Sequence, residues 1–158
     1  MTNSATAYKQ PFSVLVVIYT LAGDVLLLER ARHPGFWQSV TGSREGSESA
    51  LATACREVGE ETGLNYPPAA LQDWHIENSF SLHPAWRHRY APEVRHNTEQ
   101  VFALALPERL PIRIAPAEHR ASVWLPWREA AERCFSWSNR DAILLLEKQL
   151  APQRTQST

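Results

Sequence analysis

Hydrophobic residues in the first part of the chain form two short runs, at about 12–20 and 25–30, rich in β-branched and aliphatic side chains. The sequence Ala22-Gly23-Asp24 separates them, and a turn-forming break between two apolar runs predicts a β-hairpin. The same kind of apolar run recurs later in the chain. It predicts further strands near residues 38–41, 73–80, 98–106, 111–114 and 122–125.

The spacing of apolar residues becomes helical in three segments. It predicts helices at about 48–61 and 127–134, and a last helix that starts at Ser138. Ser138 and Asp141 have the spacing of a capping box. The apolar stripe of the last helix consists of Ile143, Leu146 and Leu150. Strands and helices are mixed without regular alternation, so we expect an α+β fold with a mixed sheet between helices.

The chain has 158 residues, a length that suits one domain with a single core, and we expect that domain to span residues 1–158. Its ends, residues 1–7 and 151–158, are short and polar and are expected to be disordered. The formal net charge of −1 argues against a protein that binds nucleic acid through bulk positive charge. We therefore expect no nucleic-acid partner.

The two cysteines and the longest apolar run indicate the cellular compartment of the protein. Cys55 and Cys134 lie far apart without a CxxC pair or a metal-ligand spacing, so neither a zinc site nor a disulfide framework is predicted. The run from Phe12 to Ala22 is 11 residues long, well short of the ~20 that span a bilayer. These features predict a cytoplasmic protein without a membrane partner.

An acidic helix is the most informative segment. Ser47 is a suitable N-cap and Gly63 suits the end of a helix, and between them Glu57, Glu60 and Glu61 fall on one helix face. Like charges at this spacing repel one another, so something must offset them. Three carboxylates within reach of one point suit a hard divalent cation such as Mg²⁺. The alternative is a solvated acidic face, which any Glu-rich helix can show.

The segment from Gly42 to Leu64 matches the Nudix box at nine defined positions. They are Gly42, Glu48, Arg56, Glu57, Val58, Glu60, Glu61, Gly63 and Leu64. By this box the chain resembles the Nudix family, whose members hydrolyse a nucleoside diphosphate linked to another moiety. The resemblance implies a Nudix-type α/β/α sandwich with a catalytic loop and helix at 42–64. It also implies Mg²⁺ as the cofactor, with Mn²⁺ as a possible substitute.

The resemblance further implies roles for individual residues. The metal ligands that it implies are Glu57, Glu60, Glu61 and Glu118. Glu61 or Glu118 would act as the base that takes a proton from the attacking water. Arg56 would orient a carboxylate through a fork-type ion pair, and Glu48 would secure the loop and the helix.

Short blocks outside the box resemble a bacterial subgroup of the family that removes pyrophosphate from 7,8-dihydroneopterin triphosphate in folate biosynthesis. The blocks cover residues 36–43, 87–92, 97–99, 118–119 and 136–140. This resemblance implies a small-molecule substrate, a pterin or a nucleoside triphosphate. The substrate-binding residues that it implies are Lys9, Arg30, Thr41, Phe80, Ser81, Leu82, His83 and Ser136.

Two other functions fit the same box. One is a deoxynucleoside triphosphate pyrophosphatase that prefers dATP. The other is a non-catalytic module that binds a nucleotide or RNA, although such a module would not need the intact carboxylates. For each of these functions, we expect a monomer or a weak homo-oligomer.

For several residues, a structural role is an alternative to a functional one. Lys9 and Arg30 are either strand-end charges or cations that hold a substrate with about four negative charges. The basic residues of 87–96 form either a solvated or RNA-facing patch or a structural or substrate-facing loop. Phe36 and Trp37 belong either to the core or to a wall that stacks on a pterin. The six histidines have no ligand spacing, and none is assigned to catalysis.

Overall fold

A mixed β-sheet with helices on both faces organises the computed structural model, which describes residues 7–154. The described residues form seven strands: β1 (Phe12–Thr20), β2 (Asp24–Arg30), β3 (Trp37–Gln38), β4 (Val40–Ser43), β5 (Leu71–Ser81), β6 (His96–Leu106) and β7 (His119–Pro126). They also form four α-helices: α1 (Ala50–Thr62), α2 (Trp127–Arg133), α3 (Trp137–Leu144) and α4 (Leu146–Arg154). The predicted hairpin at the start of the chain is confirmed as β1 and β2.

The sheet runs in the order β3-β2-β1-β6-β5, with β4 paired to β1 and β7 paired to β2. β1 and β6 are parallel, with partners from Phe12 and Thr98 to Thr20 and Leu106, and the other pairings are antiparallel. The predicted mixed sheet is therefore confirmed. Because β1 is central, its backbone fixes where the ends of β4, β5 and β6 meet.

Both faces of β1 are buried, since successive side chains of a strand point to opposite faces. Leu15, Val17 and Tyr19 lie in a core that includes apolar residues of α2, α3 and α4. Val14, Val16 and Ile18 lie in a second core, on the side of α1. This layering confirms the predicted α+β sandwich of helices around a sheet.

The predicted strand at 111–114 is wrong. This segment has no regular secondary structure, and Ile112 and Ile114 pack against the core on the α1 side. The N–H of Arg113 donates to the carbonyl of Thr62 at 2.9 Å. The segment thus pairs with the last turn of α1 instead of a neighbouring strand, and its alternating apolar residues serve this packing.

Two predicted element boundaries also change. The N-cap of α1 is Ser49, whose side chain accepts a hydrogen bond from the N–H of Ala52 at 3.0 Å, so Ser47 is not the cap. Glu48 therefore lies before the helix and is available to the preceding loop. The predicted short strand near 38–41 is two short strands, β3 and β4, which pair with different partners.

The end of the chain differs from the predicted single helix. Ser136 caps α3 by accepting a hydrogen bond from the N–H of Asn139 at 3.2 Å, whereas Ser138 is a buried residue within that helix. A break at Leu145 then separates α3 from α4. The predicted apolar stripe of Ile143, Leu146 and Leu150 is confirmed, because all three are buried.

The chain ends expected to be disordered lie largely outside the described residues, namely 1–6 and 155–158. Residues 151–154, which we also expected to be disordered, belong to α4. Within the described range, no helix combines the length and the apolar character needed to cross a membrane. Both cysteine thiols are free, as the sequence predicts.

Asn139 fixes the start of α3 against the sheet. Its Oδ1 accepts a hydrogen bond from the N–H of Ser39 at 2.7 Å, and its Nδ2 donates to the Ser39 hydroxyl at 2.9 Å. Both side chains are buried. This pair holds the first turn of α3 beside the short strands β3 and β4.

Replacement of Ile143 by Ala tests the core on the helical side. Ile143 is fully buried, so the cavity left behind should lower the free energy of unfolding by about 2–5 kcal/mol. Leu144, the next residue in α3, is exposed, and Leu144→Ala should change it by less than about 0.5 kcal/mol. Urea denaturation measures both values, and equal effects of the two substitutions would contradict this assignment of helix faces.

Candidate active site

A cleft of about 1430 Å³ opens at the edge of the sheet where β1 and β6 begin and β5 ends. Its walls include the carboxylates of α1, the β4 strand, the segment after β5 and the first turn of α3. The chain therefore brings residues from most of its length to one site. The pairing of strands, together with the packing of α1 and α3 on the sheet, makes these residues neighbours.

Three acidic residues occupy one part of this cleft, and two of them are buried. Glu57 and Glu61 on α1 are 7% and 1% exposed. Glu118 lies just before β7, and His119 is the first residue of that strand. The His119 Nε2 atom lies 2.6 Å from Glu61 Oε1. The candidate ligand atoms of Glu61, Glu118 and His119 all lie within 4.8 Å of one another.

The electrostatics of this group favour a cation. Burial raises the pKa of Glu57 to about 8, and the neighbouring Glu61 carboxylate adds to the rise. Burial, followed by the charge of Glu118, also raises the pKa of Glu61. Among residues 7–154, Glu61 Oε2 has no hydrogen-bond partner. Crowded carboxylate oxygens with an unsatisfied buried acceptor fit a hard divalent cation, which supplies the missing positive charge.

Arg56 connects the carboxylates of this segment. Its guanidinium donates to Glu48 at 2.8 and 3.0 Å, to Glu57 at 2.9 Å and to Glu60 at 3.1 Å. It also donates to the carbonyl of Ser43 at 3.1 Å, which ties α1 to the end of β4. Hydrogen bonds from Arg56, above all, lower the pKa of Glu48 to about 2. Arg56 thus contacts three carboxylates at once, and the roles that the family resemblance implies for Arg56 and Glu48 stay predictions.

Glu60 differs from the other two glutamates of the acidic face. Its side chain is 52% exposed, and one of its oxygens accepts the hydrogen bond from Arg56. It lies outside the close group of Glu61, Glu118 and His119. Its predicted role as a metal ligand stays a prediction.

Gly42 lets the Glu57 carboxylate lie directly against β4. A Cβ atom at this position would overlap the carboxylate carbon and Oε1 of Glu57. The first glycine of the box is thus required because the Glu57 carboxylate occupies the space that a Cβ atom would need. Gly59, in the same box, has open space beside it except for the Asn65 Oδ1 atom at 3.3 Å and the carbonyl of Leu64 at 3.8 Å.

All eight residues predicted to bind substrate line the same cleft: Lys9, Arg30, Thr41, Phe80, Ser81, Leu82, His83 and Ser136. Burial, and then the charge of Arg89, lowers the pKa values of Lys9 and Arg30. The Arg30 guanidinium also lies 4.8 Å from the centre of the Trp86 ring. The Thr41 hydroxyl donates to the carbonyl of Val14 at 2.9 Å. The structure places these residues together, and their contacts with substrate stay predictions.

The structure brings to the cleft some residues whose contacts the sequence did not predict. His119 contacts Glu61 although no histidine had a ligand spacing, and its position next to Glu118 was the available signal. His88 and Arg89 of the basic segment line the cleft, and a substrate-facing role of this segment stays a prediction. Phe36 stacks on Phe135 with ring centres 4.7 Å apart, and Trp37 packs against the helical core. Neither residue lines the cleft, which favours packing over a stacking wall as the role of this pair.

Comparison with known sequences decides the family. The sequence model of the NUDIX domain matches residues 9–146. The chain belongs to the Nudix family. The acidic helix α1 is thus the helix of the Nudix box, and its carboxylates Glu57, Glu60 and Glu61 line the cleft.

Two curated Nudix relatives carry the same name. The chain is 46% identical to the dihydroneopterin triphosphate diphosphatase of Escherichia coli (strain K12), over 86% of this chain and 91% of the relative. It is 39% identical to the enzyme of that name from Haemophilus influenzae, over 86% and 87% of the two chains. The structure of the E. coli dihydroneopterin triphosphate pyrophosphohydrolase superposes with a TM-score of 0.81, 46% identity and coverage of 87% and 94%.

Glycine substitutions within the Nudix box test the close packing of Glu57. Gly42→Ala should displace the Glu57 carboxylate and weaken binding of Mn²⁺ by about 10- to 100-fold, an effect typical of disturbed supporting groups around a metal. Gly59→Ala is the matched control, because its new methyl group meets mainly the end of the flexible Asn65 side chain. Paramagnetic resonance of free Mn²⁺ measures both affinities. Equal Mn²⁺ binding by the two variants would contradict the proposed constraint.

Proposed function

We propose that this Nudix hydrolase converts 7,8-dihydroneopterin triphosphate to dihydroneopterin monophosphate and pyrophosphate, a step of folate biosynthesis, with the help of a divalent metal. The observation that carries the proposal is the identity of 46% to an enzyme of that name across nearly the full length of both chains. The cleft supports it, because carboxylates, cationic side chains and aromatic rings line one continuous space. A phosphorylated ring compound needs these three kinds of group.

The carboxylates that we assign to the metal are those of Glu57, Glu61 and Glu118, with Glu60 beside them. Burial of Glu57 and Glu61 and the unsatisfied Glu61 Oε2 support this assignment. Mg²⁺ is the metal that we propose and Mn²⁺ a substitute, because both accept carboxylate oxygens and retain water ligands. When bound, such a cation neutralises phosphate charge and lowers the pKa of a bound water.

The remaining side chains divide the other tasks. Lys9 and Arg30 supply positive charge for the triphosphate, and partial exclusion of water around the half-buried Arg30 strengthens its attraction. Arg56 holds Glu57 in place through its hydrogen bond of 2.9 Å. Glu118 or Glu61 accepts the proton of the attacking water. His119 fixes the direction of the Glu61 carboxylate through the 2.6 Å contact.

The proposal also covers the compartment, the partners and the oligomeric state of the enzyme. It acts on a small molecule in the cytoplasm, without a nucleic-acid or membrane partner, as a monomer or weak homo-oligomer. A formal net charge of −1 supports the absence of a nucleic-acid partner, because such partners require local and usually overall positive charge.

Substrate choice tests the proposed function directly. With Mg²⁺, kcat/KM for 7,8-dihydroneopterin triphosphate should exceed that for dATP by about tenfold or more, because binding of the ring adds to binding of the triphosphate. Pyrophosphate release measures both rates, and excess chelator should abolish them. A higher kcat/KM for dATP would favour a deoxynucleotide pyrophosphatase, and release that survives chelation would contradict the metal-dependent mechanism.

Replacement of Glu61 by Gln tests the acidic cluster. The variant should keep the fold, because the isosteric amide still fits beside His119, while kcat falls by about 10²- to 10⁴-fold. Glu45→Gln is the control. The Glu45 side chain is 72% exposed, and its Oε1 atom lies 3.8 Å from Arg56 Nη1. Steady-state kinetics with circular dichroism of both variants provide the measurement. Near-normal turnover of Glu61→Gln would remove Glu61 from the mechanism.

A further inference from the structure

Glu99 is a buried carboxylate in the cleft that the proposed reaction does not use. It lies on β6, lines the cleft and is 5% exposed. Burial raises its pKa, and the polar side chains of Ser138 and Asn78 oppose that rise. A buried carboxyl group of this kind is unfavourable unless it is hydrogen-bonded or paired with a partner. Its immediate neighbours are neutral polar side chains, in contrast to the crowded carboxylates of α1.

Two acceptor atoms on β6 lack partners at this place. Neither Glu99 Oε1 nor Asn97 Oδ1 has a hydrogen-bond partner in the part of the chain that the structure describes. Asn97 Nδ2 donates to the Ser13 hydroxyl at 2.7 Å, which orients the amide and leaves its oxygen available. The two residues are two positions apart on one strand, so their side chains share a face. The cleft thus presents two adjacent acceptors that await donors.

Aromatic rings lie close to these acceptors. The rings of Phe80 and Trp137 both line the cleft, with centres 6.4 Å apart and planes at 84°. Phe80 is the strand partner of Asn97, and Asn78 is the strand partner of Glu99. A planar ring that enters this part of the cleft meets aromatic faces and, at its edge, the acceptors of β6.

A pterin carries the complementary edge. Its 2-amino-4-oxo ring presents two neighbouring donors, the N3–H and the 2-amino group, which match the two oxygens of a carboxylate. Adenine presents an amino group next to the N1 acceptor, so a carboxylate oxygen would face a lone pair. We propose that Glu99 binds the 2-amino and N3–H edge of the pterin and determines ring specificity, with Asn97 as a second acceptor. This inference rests on the proposed function and names the residue behind its substrate choice.

A pair of pteridines tests the inference without catalysis. The probes are 6-hydroxymethylpterin and 6-hydroxymethyllumazine, in which a carbonyl oxygen replaces the 2-amino group. The wild-type protein should bind the pterin about 10- to 100-fold more tightly, because a hydrogen bond to a charged group is lost and two acceptors face each other in the lumazine complex. Titration calorimetry gives both affinities. Equal affinities in the wild-type protein would overturn the inference without any variant.

Replacement of Glu99 by Gln adds a kinetic test. Glu99→Gln should lower kcat/KM for 7,8-dihydroneopterin triphosphate by about 10- to 100-fold and change that for dATP less than about threefold. The amide can donate to the lumazine carbonyl, so the preference for pterin over lumazine should also shrink. Glu77→Gln makes the same chemical change on the neighbouring strand, at an exposed residue outside the cleft, and should alter neither ratio.

The outcomes separate this inference from the proposed function. A wild-type protein that does not hydrolyse dihydroneopterin triphosphate contradicts the proposed function, and the pterin and lumazine affinities then decide on Glu99 alone. A Glu99→Gln variant that loses activity equally toward both substrates shows a structural role and overturns the inference. Selective loss toward the pterin, with unchanged Glu77→Gln, supports it.

Discussion

Mutual repulsion of the carboxylates on α1 is the constraint on which the site depends. Glu57 and Glu61 lie one turn apart and both are buried, and the charge of Glu61 adds to the cost of ionising Glu57. Arg56 offsets part of this cost by donating to Glu57 while it also binds Glu48 and the Ser43 carbonyl. One guanidinium therefore balances charge and holds the helix on β4. The negative charge that Arg56 does not neutralise favours the binding of a cation.

The rest of the fold serves the same arrangement. Glu57 reaches the cleft only because Gly42 on β4 has no side chain in its way. β4 is held there by four pairs of residues with β1, and β1 in turn pairs with β6 along its whole length. The acidic helix and the β6 acceptors are therefore positioned by one central strand. A change in the register of β1 would move both ends of the cleft together.

Local features of the sequence predicted much of the fold, and contacts between distant residues account for the rest. The box spacing fixed α1 and its acidic face, and β-branched runs fixed β1 and β2, because both patterns arise within a few residues. The apolar alternation of 111–114 looks like a strand, yet Arg113 pairs with the end of α1. Ser47 and Ser49, or Ser136 and Ser138, are equally good caps by type, so packing decides between them. His119 and Glu99 gain their surroundings only from strand pairing.

The overall charge of −1 conceals a division of the cleft into a charged part and a neutral polar part with one carboxyl group. Carboxylates of α1 and the cations Lys9 and Arg30 provide opposite charges at the end of the cleft where we propose that the phosphates bind, whereas Asn97, Glu99 and Phe80 provide acceptors and an apolar face. Phosphate groups are repelled by an uncompensated buried carboxylate such as Glu99, and a neutral ring gains nothing from a metal. Each half of the cleft therefore rejects the wrong end of the molecule. A substrate with a neutral ring at one end and phosphates at the other satisfies both halves in only one binding direction.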